Sequence, residues 1–311
     1  MVAQYLAEDL LRSIRLKNPL ANVGSTGSKD SDLLMMVNEA IWQHLVPRMM
    51  KLSEEYFTLK ERVSIGANSS VRIPHRAIYQ KLRHLYLVGS SGSRVRINPI
   101  QKEELNEAVF QTSGYYIEGN EIVIHPSASA GLSDLEMHYM YRPGELVLST
   151  ECRQIVDVDY ATNTVEVTSE VPAEWTDDLL YDIHSGKSGA EIEMFDLEVS
   201  SIGPGTSDTI IFTVPLDGSL FGTRPVLIGD WVCLAETAAL PGIPRELHPQ
   251  IANAVALQIA VMLKDTEAIK IHGEMLKGAL GEAAGALEQR VEGHPAVITG
   301  RKGILWAGRR W

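Results

Sequence analysis

The hydrophobic pattern changes twice along the chain, and this change constrains the fold more than any other feature. From about residue 146 to 233, short apolar runs alternate with polar residues, and turn residues separate them at intervals of roughly 8–12 residues. On both sides of this segment, apolar residues recur at the three- and four-residue spacing of amphipathic helices. The sequence therefore predicts a small all-β sandwich or barrel inserted between helical segments.

Two helices are predicted before the β segment, over residues 3–16 and from Asp30 or Ser31 onward. Pro47 is expected to kink or end the second helix, because proline removes a hydrogen bond from a helix interior. Each helix has an apolar stripe that it cannot bury alone. We therefore expect both to pack against helices from the other end of the chain.

Two further helices are predicted near the end of the chain, over 246–264 and 266–291. Pro249 falls in the first turn of the earlier one, where proline is tolerated. Three glycines weaken the later helix but allow another backbone to approach closely, which favours packing in an assembly. They are Gly278, Gly281 and Gly285.

Alternating strands that flank turn residues predict five strand–turn–strand units, the first of them formed by 62–65 and 71–73 around a turn at 66–68. The other four are β-hairpins. Two precede the β segment, around the loops 89–93 and 119–120, and two lie within it, around 159–164 and 203–205. Residues 231–234 have the pattern of a strand that closes the β module.

Together these elements predict an α+β fold: a helical-bundle core with peripheral β-hairpins, an inserted small all-β domain (sandwich or barrel) and an extended C-terminal arm. The expected division has four parts. Residues 1–145 form the first part of the core, 146–233 the β domain, 234–292 the helices that complete the core, and 293–311 the arm.

Charge is distributed unevenly along the chain. The net charge is -12, and residues 301–311 contain four cations and no acid, so residues 1–300 carry -12 minus 4, or -16. A body this acidic does not attract DNA or anionic membranes by its bulk field, which disfavours a nucleic-acid-binding function. The N-terminal residues lack the features of a signal peptide, and no apolar run approaches the roughly 18 residues of a membrane span.

No recurrent catalytic or cofactor motif is present in the sequence. It contains no His-Glu-x-x-His, no phosphate-binding loop, no dinucleotide fingerprint and no nucleophile elbow. Cys152 and Cys233 are too few for a disulfide scaffold, and as isolated buried thiols they fit a reducing compartment during synthesis. We therefore expect no enzyme activity, no catalytic residue, no cofactor and no metal.

Three weaker candidates for chemistry have simpler explanations. Asp157 and Asp159 are spaced like calcium ligands, but the glycine and distal glutamate of an EF-hand are missing, so a hairpin turn is favoured. His272 has no second ligand at helical spacing. An acidic run could supply paired carboxylates for a cation or a sugar, although the solvated side of a strand is favoured. The run comprises Glu191, Glu193, Asp196 and Glu198.

The C-terminal arm mixes cations with aromatic and aliphatic side chains, and Trp and Arg are enriched at interface hot spots. A disordered tail is the usual state of a terminus, but such tails are seldom rich in Ile, Leu and Trp. For the arm we therefore favour docking to a partner protein. The two alternatives are that the arm contacts nucleic acid or that it has no binding role. The residues concerned are Arg301, Lys302, Ile304, Leu305, Trp306, Arg309, Arg310 and Trp311.

Several segments carry a family resemblance in their order along the chain. They are Asp30-Ser31-Asp32-Leu33-Leu34 with Asn38-Glu39-Ala40, Tyr56-Phe57 followed by 71–77, residues 115–126, Tyr139-Met140-Tyr141-Arg142-Pro143 with 144–147, and the terminal 300–306. In this order the chain resembles the head-to-tail adaptor, or head-completion, proteins of tailed bacteriophages, short-tailed ones especially. The resemblance covers roughly 30–147 and 245–311 and leaves the β insert outside.

This resemblance implies a structural role at the neck of a virion, reached by assembly in the host cytoplasm. It implies a ring of twelve copies below the portal that joins capsid to tail, and genomic DNA that passes through the channel without sequence-specific binding. The portal and a tail, nozzle or tail-tube protein would be the partners, with no membrane involved. By the same resemblance, the eight arm residues dock on the portal.

An arm that folds on binding can wrap a large surface of its partner. The β insert is then the candidate for contact with capsid, tail or nozzle protein. The alternative function is a carbohydrate-binding or hydrolytic virion component that uses the acids of the β module.

Overall fold

Strands predominate in this mixed α/β protein. The computed structural model describes residues 5–17, 29–52, 54–65, 70–89, 92–101, 114–125, 132–186, 192–202, 208–219 and 224–288. Within these residues the strands form a seven-stranded sheet, a closed barrel and a two-stranded ladder between them.

The seven-stranded sheet is built from the first seven strands. They are β1 (Thr58–Ser64), β2 (Ser70–Arg72), β3 (Ala77–Gly89), β4 (Arg94–Pro99), β5 (Gly114–Glu118), β6 (Glu121–His125) and β7 (Leu132–Tyr141). The order across the sheet is β1-β7-β3-β4-β5-β6-β2. Neighbours run antiparallel, except that β4 and β5 are parallel. The two hairpins predicted here, β3–β4 and β5–β6, are confirmed.

The sheet is curled. β1 and β2 lie at opposite edges, although only residues 65–69 separate them in the chain. The strands on either side of the turn predicted at 66–68 therefore do not pair with each other, which corrects that prediction, because β1 pairs with β7 and β2 with β6. At about 4.8 Å between strands, the edges of a flat seven-stranded sheet would be roughly 29 Å apart. A link of this length reaches only about 22 Å. The two edges must therefore approach each other, which gives the sheet a concave inner face.

The helices lie at the two ends of the chain. They are α1 (Ala7–Lys17), α2 (Asp30–Glu39), a π-helical turn (Ala40–Leu45), α3 (Val46–Leu52), α4 (His248–Met262) and α5 (Thr266–Glu288), with short 3₁₀ turns at Glu54–Phe57, Ser149–Glu151 and Arg245–Leu247. α1 and α2 pack against α4, as expected from their apolar stripes. Pro249 lies at the start of α4, also as expected.

Two expectations about the helices need correction. The described residues do not form a separate helical bundle, because Ile14 of α1 and Val255 of α4 share one buried cluster with Met137 of β7. The inner face of the sheet and the helical stripes are both apolar, so each covers the other. Of the two outcomes expected at Pro47, a kink or an end of the second helix, the end is excluded, since a π-helical turn precedes the proline and α3 continues beyond it. The wider turn accommodates the missing N–H of proline.

The β insert is a closed six-stranded barrel. Its strands are β9 (Arg153–Asp159), β10 (Thr164–Val167), β11 (Leu180–His184), β12 (Ile192–Ile202), β13 (Thr209–Phe212) and β14 (Trp231–Leu234). The order around it is β10-β13-β12-β11-β14-β9, with β9 and β10 paired. The two hairpins predicted here are confirmed, and β14 is the closing strand, because it pairs with both β11 and β9.

The barrel has a hydrophobic core of its own, centred on Trp175, Tyr181 and Ile183. The chain enters and leaves it side by side, because β8 (Glu145–Leu146) pairs in parallel with β15 (Thr237–Ala238). We call this two-stranded crossing, with the adjoining ends of β9 and β14, the neck of the barrel. Among the described helices, none is both long and apolar enough to cross a membrane.

Candidate functional site

A buried ion-pair cluster joins the sheet to the barrel. Arg76 lies between β2 and β3, with a side chain only 4% exposed. Its guanidinium donates to the carboxylate of Asp182 on β11 at 2.8 and 2.9 Å, and to that of Asp196 on β12 at 2.6 and 3.0 Å. Both acids belong to the barrel, so one cation of the sheet holds two of its strands. We call these three residues the junction cluster.

The junction cluster is satisfied by further hydrogen bonds. The Asp182 carboxylate is fully buried and also accepts the backbone N–H groups of Asp196 at 3.0 Å and Glu236 at 2.8 Å. The Arg76 guanidinium lies 5.6 Å from the centroid of the Phe195 ring. Burial alone would lower the pKa of Arg76, but the two carboxylates raise it further than burial lowers it. The cation therefore remains charged, and none of these carboxylate oxygens depends on water for a partner.

A bulge in β12 explains how Asp196 reaches Arg76. The register between β11 and β12 shifts between Tyr181 and Ile183, opposite this part of β12. Asp196 has a φ of 53°, in the left-handed region that aspartate tolerates better than most residues. A bulge of this kind re-aims a side chain, here toward the sheet instead of along the regular pleat.

Titratable groups surround the junction cluster. The ring Nε2 of His75 lies 3.2 Å from a carboxylate oxygen of Glu236 and 4.0 Å from one of Asp196. The Tyr139 hydroxyl donates to Glu61 at 3.1 Å. Burial raises the pKa of Glu61, and the bond from Tyr139 offsets part of that rise. Arg76 binds both the buried Asp182 and the partly buried Asp196, so this pair of carboxylates cannot act freely as general acid and base. The cluster serves to join two parts of the chain.

A polar cleft of about 290 Å³ opens beside the junction cluster, between the turn before β3 and the neck. The Trp42 indole N–H donates to the Pro143 carbonyl at 3.2 Å, and the Arg142 guanidinium lies 5.5 Å from the centroid of the Trp42 ring. The described side chains include no group of three or more His, Cys, Asp or Glu placed to hold a metal.

The helices expose a separate apolar surface. A groove of about 560 Å³ runs between the α2–α3 segment and the pair α4 and α5. Large apolar side chains are exposed along this groove and beside it. Met35 is 63% exposed and Met262 is 68% exposed. Exposed apolar patches of this kind mark interaction sites, and methionine adapts to different partners. We define the methionine face as the exposed apolar residues that line this groove, Met35, Val261 and Met262, together with those exposed at the end of α4 and in the first half of α5, Leu263, Ile271 and Met275.

Three glycines of α5 have no close neighbour among the described residues. At Gly273, Gly278 and Gly281, no atom of the described residues lies within 4 Å of the position that a Cβ would occupy. The close backbone approach expected at Gly278 and Gly281 is therefore not made by the described residues. Of the side-chain surroundings of Gly285, the third glycine of that prediction, the structure describes nothing, and contact with another molecule remains a prediction.

The aspartate pair with calcium-like spacing forms a turn, as favoured. The Asp159 carboxylate accepts the Ala161 N–H at 2.9 Å and the Thr162 hydroxyl at 2.7 Å, and these bonds lower its pKa. Asp157 lies within β9. His272 is half-buried on α5, and burial lowers its pKa.

The acidic run at 191–198 was predicted to lie on the solvated side of a strand, and this prediction needs correction. Glu193 is buried and accepts a hydrogen bond from Arg224 at 2.6 Å, and Asp196 belongs to the junction cluster. Glu198 is exposed, in agreement with the prediction. Glu191 lies outside the described residues. Each of the two inward acids has an arginine partner because an unpaired buried carboxylate would be costly.

The eight arm residues cannot be placed, because 289–311 lie outside the described residues. The junction cluster was missed by the sequence analysis, although Arg76 lies within the segment 71–77 that carried the family resemblance. A signal was present in Leu180–His184, where polar residues interrupt an apolar strand. Asp182 and His184 are both buried there.

The comparison with known families decides what kind of protein this is. The model of the SU10 adaptor protein family matches residues 6–199, more than half of the 311 residues. The chain belongs to this family. It is a family of phage head-to-tail adaptors, so the protein is a structural adaptor of a virion. No curated protein matches the chain.

The matched range also corrects the extent of the resemblance. It starts at α1 and includes β9–β11 and most of β12, so the β insert is not wholly outside the family pattern. It ends before β13, and therefore before α4, α5 and the arm of the adaptor. All three residues of the junction cluster fall inside the matched range.

Proposed function

We propose that the adaptor forms a ring of twelve copies below the portal, joins capsid to tail and surrounds the channel through which DNA passes. The family match over residues 6–199 is the observation that carries this proposal. The net charge of -16 over residues 1–300 supports a channel that does not grip the phosphate backbone. The partners are the portal and a tail, nozzle or tail-tube protein, and assembly takes place in the host cytoplasm.

Within the ring, we propose that each copy has the domains expected from the sequence. These are a core from 1–145 and 234–292, a β domain at 146–233 and an arm at 293–311. Separate hydrophobic clusters in the sheet-and-helix part and in the barrel support this division. The junction cluster then fixes the direction in which the barrel projects. The barrel is the part that contacts capsid, tail or nozzle protein.

Neighbouring copies of the adaptor meet, in this proposal, at the methionine face. Assembly surfaces bury apolar side chains, and this face exposes large ones on three helices of one copy. Gly273, Gly278 and Gly281 of α5, which meet no other described residue at the Cβ position, would let a helix of the next copy approach closely. The occupant of the groove is thus a second copy of the chain.

The arm docks on the portal through the eight residues named above. Its four cations and two tryptophans supply side chains of the type that anchor interfaces. No observation favours the alternative of a carbohydrate-binding or hydrolytic component, because Glu193 and Asp196 are each held by an arginine.

Co-sedimentation with purified portal rings tests this function. The baits are the full chain, a chain that ends at Gly293, and a full-length Trp306→Ala/Trp311→Ala variant. An Ile228→Ala variant, changed at a barrel position that is 63% exposed, is the matched control. We expect the full chain and the control to sediment with the portal, the shortened chain to remain in the supernatant, and the double variant to bind at least tenfold more weakly.

Two results would overturn the proposal in different ways. Equal binding by all four proteins would remove the arm from the docking interface while leaving the adaptor function intact. Failure of the full chain to bind any portal, or to form a ring on it, would contradict the adaptor function as proposed.

A further inference from the structure

The two cysteines of the chain are neighbours at the neck of the barrel. Cys152 immediately precedes β9, and Cys233 lies in β14. Both are free thiols, 1% and 0% exposed. The pKa of Cys152 is raised by burial and, to a smaller extent, by the neighbouring Cys233 thiol. They share a small apolar cluster with Trp231, Ala239 and Leu240. Although far apart in sequence, the thiols are therefore not isolated.

The strand register gives this pair a specific geometry. Gln154 is paired with Trp231, and Arg153 with Val232, so the next position along the ladder sets Cys152 opposite Cys233. The Ile155 N–H donates to the Asp230 carbonyl at 2.8 Å. In an antiparallel ladder, hydrogen-bonded and non-hydrogen-bonded positions alternate from that bond. The cysteine pair therefore falls at a non-hydrogen-bonded position.

Opposed residues at non-hydrogen-bonded positions have Cα atoms about 4.5 Å apart and side chains that approach closely. Disulfides span Cα separations of roughly 4.4–6.8 Å, so this position admits a disulfide without movement of the strands. We propose that Cys152 and Cys233 form a redox pair, which a peroxide oxidises to a cross-strand disulfide that closes the neck of the barrel.

The oxidation balances with one peroxide per disulfide. Hydrogen peroxide oxidises one thiol to a sulfenic acid, and its O–O bond breaks with release of one water. The second thiol attacks the sulfenic sulfur, an S–S bond forms, and the hydroxyl group leaves with the thiol proton as a second water. Because burial raises the pKa of Cys152 and little thiolate is present, the first step should be slow in the folded protein.

The disulfide would be a covalent cross-link between the two ends of the β domain. The disulfide would join the points at which the chain enters and leaves the barrel, and residues 153–232 would lie inside the closed loop. A loop of this length loses much conformational freedom in the unfolded chain, so the folded barrel is favoured. The physiological setting, passage of a virion from a reducing cell to an oxidising medium, rests on the proposed function. The chemistry does not depend on it.

The test uses the full-length protein, purified under reducing conditions and then treated with hydrogen peroxide. Remaining thiols are blocked with N-ethylmaleimide after denaturation, and the digest is examined by mass spectrometry. The chain has only two cysteines, so any disulfide within one chain is this pair. We expect the linked peptides, two hydrogens lighter than the reduced pair, and a Tm raised by roughly 5 °C that returns to its starting value with dithiothreitol.

The matched control is a Cys152→Ala/Cys233→Ala variant, whose Tm should not respond to peroxide. A Cys233→Ser variant should stop at sulfenic or sulfinic acid on Cys152. Three results would each overturn the proposal. Both thiols could stay free in the folded protein, the wild type could be oxidised beyond sulfenic acid, or disulfides could form only between two chains. None of these results bears on portal binding, so failure here is distinguishable from failure of the adaptor function.

Discussion

At the scale of single residues, Arg76 connects the two cores of the protein. It is the one residue of the sheet in the junction cluster, and both of its partners lie on barrel strands. Buried ion pairs add little stability compared with a well-packed apolar contact, but removal of one partner leaves a buried charge without compensation. The main contribution of Arg76 is therefore to fix the orientation of the barrel relative to the sheet.

We predict that Arg76→Leu will lower the free energy of unfolding by about 3–5 kcal/mol, because Asp182 and Asp196 would be left without their cation. Arg62→Ala is the matched control, since it breaks an ion pair with Asp134 on the exposed face of the sheet. Its cost should remain below about 1 kcal/mol. Urea unfolding, monitored by circular dichroism, measures the free energy of unfolding of both variants. Equal losses of stability in the two variants would contradict the account of the junction cluster.

At the scale of elements, the sequence predicted those features that depend on neighbouring residues. The four hairpins and the closing strand β14 followed from alternation and turn residues, and Gly119, with a φ of 62°, supplies the turn between β5 and β6. β11 was missed because Asp182 and His184 are buried in it, contrary to the alternation of polar and apolar faces.

The features that escaped prediction depend on distant parts of the chain. The placement of β1 and β2 at opposite edges of a curled sheet is set by strand pairing across the whole first half. The junction cluster joins residues more than a hundred positions apart. Local pattern carries no information about such pairs, although a buried acid in a strand does indicate that a cation must lie nearby.

The parallel pairing of β4 with β5 depends on Gly114. A Cβ at this position would lie 2.5 Å from the Ile100 side chain and 2.6 Å from the Asn98 carbonyl oxygen. We predict that Gly114→Ala will destabilise the protein by about 1–3 kcal/mol through overpacking.

The matched control for Gly114→Ala is Gly273→Ala, on α5, where the added methyl group meets open space. Because alanine favours the helix, this variant should be more stable by roughly 0.5–1 kcal/mol. Thermal unfolding of both variants provides the measurement. A Gly114→Ala variant as stable as the wild type would contradict the close contact between β4 and β5.

At the scale of the whole molecule, the methionine face is an apolar surface that the described residues of one copy leave exposed. We predict that a Met262→Glu/Met275→Glu variant will remain folded but will fail to form rings on the portal, because charged side chains at an apolar interface resist burial. Tyr79→Glu is the control, as Tyr79 is 92% exposed and lies away from this face, in β3. Mass photometry of the portal-bound complex distinguishes the variants. Rings of unchanged size from the double variant would place the contacts between copies elsewhere.

The location of the adaptor in the particle tests the central claim most directly. Virions purified from a producing culture are labelled with a gold-conjugated antibody raised against the adaptor and viewed by electron microscopy. The account predicts label at the junction of head and tail once particles are partially opened. Label on tail fibres or the tail tip would instead favour a carbohydrate-directed component, and the absence of label from every virion structure would contradict a structural role in the particle.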